Sequence, residues 1–90
     1  MEECIFCKIA AGKVPCRKVY ENEKVLAFED IQPLAPVHIV IIPRTHIATL
    51  MDADAGEMSD LRAMMTAAQA VARLKGIDRR GFRVVINCNE

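Results

Sequence analysis

Cys4 and Cys7 stand at C-x-x-C spacing near the start of the chain. A tight turn at that spacing brings both sulfurs within bonding reach of one metal ion. His46, after an apolar run and Pro43, supplies an imidazole from another part of the fold. Zinc takes four tetrahedral ligands, and these residues make three. The fourth is then water, a residue beyond Glu90, or missing. A C-x-x-C pair also suits redox chemistry, but redox pairs usually follow a strand and open a helix within a βαβ unit; here no strand precedes it. The blander alternative makes Cys4 and Cys7 small buried hydrophobes beside Ile5 and Phe6. His38, inside an apolar run, reads as a satisfied core histidine rather than a ligand. Cys16 and Cys88 read as packing residues.

The elements holding these groups belong to a chain of 90 residues, with 12 Lys+Arg against 12 Asp+Glu. That length suits one domain, residues 1–90, with a thin core. Zero net charge argues against a general polyanion binder, so no nucleic-acid partner is expected. The 52% apolar and 27% charged fractions are globular. No apolar run approaches the roughly 20 residues that span a bilayer, and Met1-Glu2-Glu3-Cys4 lacks the basic start of a signal peptide. A cytoplasmic chain with reduced thiols and no membrane partner is the expectation.

Ile5 and Ile9 are spaced i, i+4, with Gly12 beyond Ala11, which predicts one or two helical turns closed by glycine. Residues 18–21 and 24–29 read as a hairpin around Glu21-Asn22-Glu23. Asp30 to Pro36 holds two prolines and must be a loop. Val37 to Ile42, β-branched almost throughout, reads as a strand covered on both faces. Asp54 and Glu57 form a capping-box pattern ahead of Leu61, Met64, Met65, Ala68, Val71 and Ala72, which predicts a long amphipathic helix stopped at Gly76. Its alanines allow close approach to a sheet or a partner helix. Phe82 to Cys88 reads as a last strand. The order β-β-β-α-β predicts an α+β fold with a mainly antiparallel sheet, one long helix and a short N-terminal helix.

Five segments in this order carry a resemblance: Cys4-Ile5-Phe6-Cys7-Lys8-Ile9, Val19-Tyr20-Glu21-Asn22-Glu23, Ala27-Phe28-Glu29-Asp30-Ile31-Gln32-Pro33, Ala35-Pro36-Val37-His38-Ile39-Val40-Ile41-Ile42-Pro43-Arg44-Thr45-His46, and Gly81-Phe82-Arg83-Val84-Val85-Ile86-Asn87. Together they resemble the histidine triad (HIT) family of nucleotide-binding hydrolases and transferases, and most of all its nucleoside phosphoramidate hydrolase branch. The family is named for a His-x-His-x-His motif on a later strand. This sequence holds only His38 and His46, and neither matches a triad position. The resemblance therefore implies a domain that is C-terminally incomplete, lacks the last family strand and, in these 90 residues alone, is inactive. In the family, a triad histidine attacks the α-phosphorus of a nucleotide and water cleaves the resulting nucleotidyl-histidine, chemistry open to neutral imidazole near pH 7.

The resemblance further implies a binding half. Ile5, Phe6, Ile9 and Phe28 would wall a purine slot, Asp30 would accept hydrogen bonds from both ribose hydroxyls, Ile31 would lie against the sugar, and Asn87 would donate to a phosphate oxygen. Their alternatives are plain core for the four apolar residues, a turn-capping aspartate, and a strand-end polar residue. Some HIT proteins bind zinc through this C-x-x-C, a histidine matching His46 and one triad histidine, which implies a structural zinc held by Cys4, Cys7 and His46. Family members commonly form homodimers through the long helix. Two functions follow. One is a hydrolase cleaving purine nucleoside 5′-phosphoramidates or related nucleotidyl bonds in the intact protein. The other, if the chain ends at Glu90, is a non-catalytic nucleotide-binding or zinc-stabilised interaction module.

Overall fold

A computed structural model describes residues 4–47 and 49–86. Its elements run α1 (Ile5–Ala10), β1 (Lys18–Glu21), β2 (Val25–Glu29), β3 (Ile39–Pro43), a 3-10 turn (Leu50–Asp52) and α2 (Met58–Leu74). The strands form an antiparallel sheet in the order β1-β2-β3. The α+β arrangement of a short helix, an antiparallel sheet and a long helix is the one expected.

The hairpin closes because the Asn22 side-chain oxygen accepts from the Lys24 and Val25 amides at 2.8 and 2.9 Å, an Asx turn. β2 is buried from Val25 to Phe28. Side chains alternate along a strand, so Leu26 and Phe28 meet Ile42 on one face, where Ile9, Ala10, Cys16 and Val40 pack against them. Val25, Ala27 and Ile41 are left for the opposite face, and α2 contacts all three strands with Ala67, Val71 and Ala72 buried. Two of the alanines expected to permit close approach, Ala67 and Ala72, are therefore buried on the chain's own sheet side.

Two expectations need correction. β3 is not covered on both faces: only Ile42 is buried, and the other four residues are half-buried. β3 lies at the edge of the described sheet, whereas β2, flanked by strands and faced by both helices, is the covered one. The strand expected over residues 82–88 is also not formed in its described part. Residues 81–86 have no regular structure, and Phe82, Val84, Val85 and Ile86 are about half exposed. A run of strand-forming residues becomes a strand only with a hydrogen-bonding neighbour, and none pairs with it among the described residues.

Both helices stop as the sequence indicates. Asp54 Oδ1 accepts from the Glu57 amide at 2.7 Å and Glu57 Oε1 from the Asp54 amide at 3.1 Å, the reciprocal bonds of a capping box, but they close a turn just ahead of α2, whose own N-cap is Glu57 rather than Asp54. Gly76, at φ +71°, reverses the chain so that the Ile77 amide reaches back to the Ala72 carbonyl at 2.9 Å. Gly12, at φ +79°, does the same for α1, returning the Lys13 amide to Lys8.

Candidate functional site

Cys4 caps α1: its Sγ accepts from the Cys7 amide at 3.4 Å. One helical turn on, Cys7 Sγ lies 3.1 Å from His46 Nδ1, a contact between residues 39 apart in sequence. The three donor atoms all lie within 4.8 Å of one another. The Cys7 amide holds the Cys4 thiol below its ordinary range, and the hydrogen bond with Cys4 pushes the Cys7 thiol up. Zn–S bonds of about 2.3 Å and Zn–N bonds of about 2.0–2.1 Å put neighbouring donors roughly 3.6–3.8 Å apart around a tetrahedral ion. These two thiols and one imidazole are therefore grouped as three corners of such a site, and both donor types suit zinc. No fourth His, Cys, Asp or Glu joins the cluster among the described residues. Cys4, Cys7 and Cys16 are free thiols.

Arg44, to which the sequence reading gives no role of its own, organises this region. Its guanidinium donates to the Asn22 carbonyl at 2.8 Å, to Glu21 Oε1 at 2.8 Å and to the Ala10 carbonyl at 3.4 Å. One side chain thus ties the end of α1 to the β1–β2 turn, two residues before His46. That contact holds the Glu21 carboxyl below the ordinary glutamate range. The only sequence signal for the role is a cation directly after the strand-ending Pro43.

Beyond β2 the ladder continues through the Asp30 amide, which donates to the His38 carbonyl at 3.0 Å. Asp30 Oδ1 accepts from the Gln32 amide at 2.8 Å, the turn-capping role weighed above. Asp30 Oδ2 faces His38 Nε2 at 3.5 Å, and His38 Nδ1 accepts from the Leu34 amide at 3.0 Å. A small pocket of about 80 Å³ opens beside this pair, lined by Glu29, Asp30, Pro33, Pro36, Val37, His38, Ile39 and Lys75. Lys75 Nζ donates to Glu29 Oε2 at 2.9 Å and, as the nearest cation, holds the Glu29 carboxyl low.

The expected purine-slot residues do not all share one environment. Ile5 and Phe6 stand about half exposed on α1, whereas Phe28 is only 6% exposed in the core, with Ile9 packed against its cluster. Ile31 projects from the loop at 92% exposure. The pocket beside Asp30 is lined by none of Ile5, Phe6, Ile9 or Phe28. Asn87 lies outside the described residues, as does Cys88. Among the described residues, no helix is long and apolar enough to cross a membrane.

Residues 3–89 match the family described as "Scavenger mRNA decapping enzyme C-term binding". Over 88 residues the chain is 42% identical to the purine nucleoside phosphoramidase of Escherichia coli strain K12, a match covering 98% of this chain and 74% of that protein. An uncharacterized HIT-like protein of Buchnera aphidicola is 40% identical over 89 residues, 99% of this chain and 78% of its own. Among solved structures, a histidine triad protein from Clostridium difficile matches with a TM-score of 0.95 at 43% identity, covering 100% of this chain and 78% of that one. A HIT family hydrolase from Legionella pneumophila matches with a TM-score of 0.92 at 41% identity, covering 97% and 78%.

Proposed function

The chain belongs to the histidine triad family, and from that premise we propose that it binds a purine nucleotide and is the binding half of a hydrolase cleaving purine nucleoside 5′-phosphoramidates or related nucleotidyl bonds. The observation that carries this reading is the 42% identity to a purine nucleoside phosphoramidase along 98% of the chain. Ile5, Phe6, Ile9 and Phe28 form the apolar side of the site, Asp30 and Ile31 meet the ribose, and Asn87 meets the phosphate. The exposed faces of Ile5 and Phe6 support the assignment, since flat apolar surface buries a base at little polar cost.

The nucleophile is not among the 90 residues. Both histidines are engaged, His46 with Cys7 and His38 with Leu34 and Asp30. These residues alone therefore bind nucleotide without turning it over. The test is release of AMP or GMP from the corresponding phosphoramidate by a longer chain that includes a His-x-His-x-His segment, beside the 90-residue chain. No release by the longer chain refutes the hydrolase reading; turnover by the shorter one refutes the location of the nucleophile.

The Cys4, Cys7 and His46 cluster favours a second property. These residues hold a structural zinc that, when bound, fastens α1 to the segment after β3. It fits an interaction module as well as a hydrolase. A homodimer is also proposed, supported by Met58 and Met65, one heptad apart on α2 and 49% and 45% exposed. Light scattering showing a monomer across a wide concentration range would refute it.

A further inference from the structure

We propose that Cys4 and Cys7 are a thiol modification site: they close to a reversible disulfide by exchange with a low-molecular-weight disulfide, using the two sulfurs that a metal would need. Disulfide formation stands apart from the nucleotide reading; only its exclusion of metal rests on the zinc reading above. By spacing alone, no strand precedes the pair and redox chemistry has little support. The folded chain brings the sulfurs together all the same. Both lie with His46 Nδ1 in a group whose donor atoms are all within 4.8 Å of one another. Cys4 caps α1 and Cys7 lies one turn on. Across one helical turn, Cα atoms three residues apart stand about 5 Å from each other, inside the roughly 4.4–6.8 Å that a disulfide accepts. A sulfur swings by about 3 Å between staggered χ1 positions, so closure needs side-chain rotation and no new backbone path.

Access is open. Cys4 and Cys7 are half-buried, and Ile5 and Phe6 between them are about half exposed, so a small disulfide reaches the pair from solvent. Cys16 stands outside the group and packs against the Leu26, Phe28 and Ile42 cluster. In the exchange, one cysteine thiolate attacks a sulfur of the small disulfide, forms a mixed disulfide and expels one small thiolate. The other cysteine then attacks the protein sulfur of the mixed disulfide and expels the second. The protein dithiol gives up two electrons and two protons, and the small disulfide takes up both to become two thiols. Sulfurs joined to each other are no longer thiolate ligands, so a bound metal and the disulfide exclude one another. Cys7 also gives up its 3.1 Å contact with His46. Among the described residues, the Arg44 bond to the Ala10 carbonyl, at 3.4 Å, is then the side-chain hydrogen bond left between α1 and the segment after β3.

The test incubates the zinc-free 90-residue chain with 2-hydroxyethyl disulfide, blocks the remaining thiols by alkylation and digests with trypsin for mass spectrometry. Lys8 is the first Lys or Arg of the sequence, so residues 1–8 leave as one peptide holding both cysteines. That peptide should lose two hydrogens and escape alkylation, and dithiothreitol should restore it. The same chain unfolded in guanidinium should close the pair at least about fivefold more slowly, because its side chains are no longer placed together. Zinc at 100 times its dissociation constant leaves about 1% of the chain metal-free and should slow closure roughly 100-fold. In proton NMR, the His46 ring signals should move on oxidation. A peptide that ends as two mixed disulfides, or that pairs with Cys16 or Cys88, overturns the proposal. An equal rate in the unfolded chain overturns the part assigned to the fold. An equal rate with zinc present refutes the exclusion of metal and the zinc reading with it, while the disulfide stands on its own mass.

Discussion

Replacing Phe28 and Phe6 by alanine, one at a time, separates core from binding surface. Phe28 is 6% exposed, in a cluster with Leu26 and Ile42 that Ile9, Ala10, Cys16 and Val40 cover. Truncating such a residue removes its transfer free energy and leaves a cavity, together about 3–5 kcal/mol. A chain of this length is stable by roughly 5–13 kcal/mol in all. At about 4–8 °C per kcal/mol, Phe28→Ala should melt roughly 12–40 °C below the unmodified chain. Phe6 is 45% exposed. Full burial of such a side chain contributes about 1.5–3 kcal/mol, so Phe6→Ala should cost no more than about 1.5 kcal/mol, or roughly 10 °C. Circular dichroism melts measure both. Calorimetry with AMP at a temperature where both variants are folded then completes the comparison: both truncations remove part of the proposed slot and should weaken binding, but only Phe28→Ala should combine that loss with a large fall in melting temperature. A Phe28→Ala melt within about 5 °C of the unmodified chain would refute the packing argument.

Three further outcomes are expected. Zinc at 100 times its dissociation constant should add about 2.7 kcal/mol, or roughly 10–20 °C in melting temperature, with the shift lost in Cys7→Ser and His46→Ala; an equal shift in either variant would place the metal elsewhere. Arg44 holds the Glu21 carboxyl low and Lys75 that of Glu29, so their stabilisation is complete above the unfolded glutamate pKa of about 4.3 and is lost as pH falls through the lower folded values. Urea midpoints should fall below about pH 4.5, less so in a Glu21→Gln, Glu29→Gln double variant, and a midpoint level down to pH 3 would contradict this. Gly76→Ala should cost about 1–2 kcal/mol from backbone strain at φ +71°, since nothing lies within 4 Å of an added Cβ; an unchanged urea midpoint would contradict it.

The elements readable in the sequence were those whose signals are local. The Asx turn at Asn22 and the glycines after both helices each fix a boundary through contacts within a few residues, and each is found where the pattern indicates; the Asp54–Glu57 pair forms its reciprocal bonds, one turn ahead of the α2 start. Burial was less readable, because it depends on what lies next to a strand. The apolar run ending at Ile42 is as β-branched as a central strand, yet the covered strand is β2, whose Glu29 and flanking Lys24 make it look more polar. Phe82 to Ile86 has strand-forming side chains and no described partner, so its pattern alone did not make a strand. The pairing of Cys7 with His46 was legible only as a ligand count; the distance of 3.1 Å depends on a tertiary contact.

The two candidate sites sit at opposite ends of the β2–β3 pair, and that placement explains their different character. At the hairpin end, beside the pairing of Val25 with Pro43, Arg44 binds Glu21, the Asn22 carbonyl and the Ala10 carbonyl, so the Cys7–His46 contact rests on a rigid, multiply bonded corner. At the far end, past the pairing of Glu29 with Ile39, the chain leaves the sheet into an exposed loop held by one histidine. A structural metal needs donors held in fixed geometry, which the first end offers. A ligand that exchanges must enter and leave, so the exposed loop at Asp30 suits the nucleotide proposed for it. The resemblance points to both candidate sites, and the antiparallel register explains why the proposed anchoring and the proposed exchange fall at opposite ends of the β2–β3 pair.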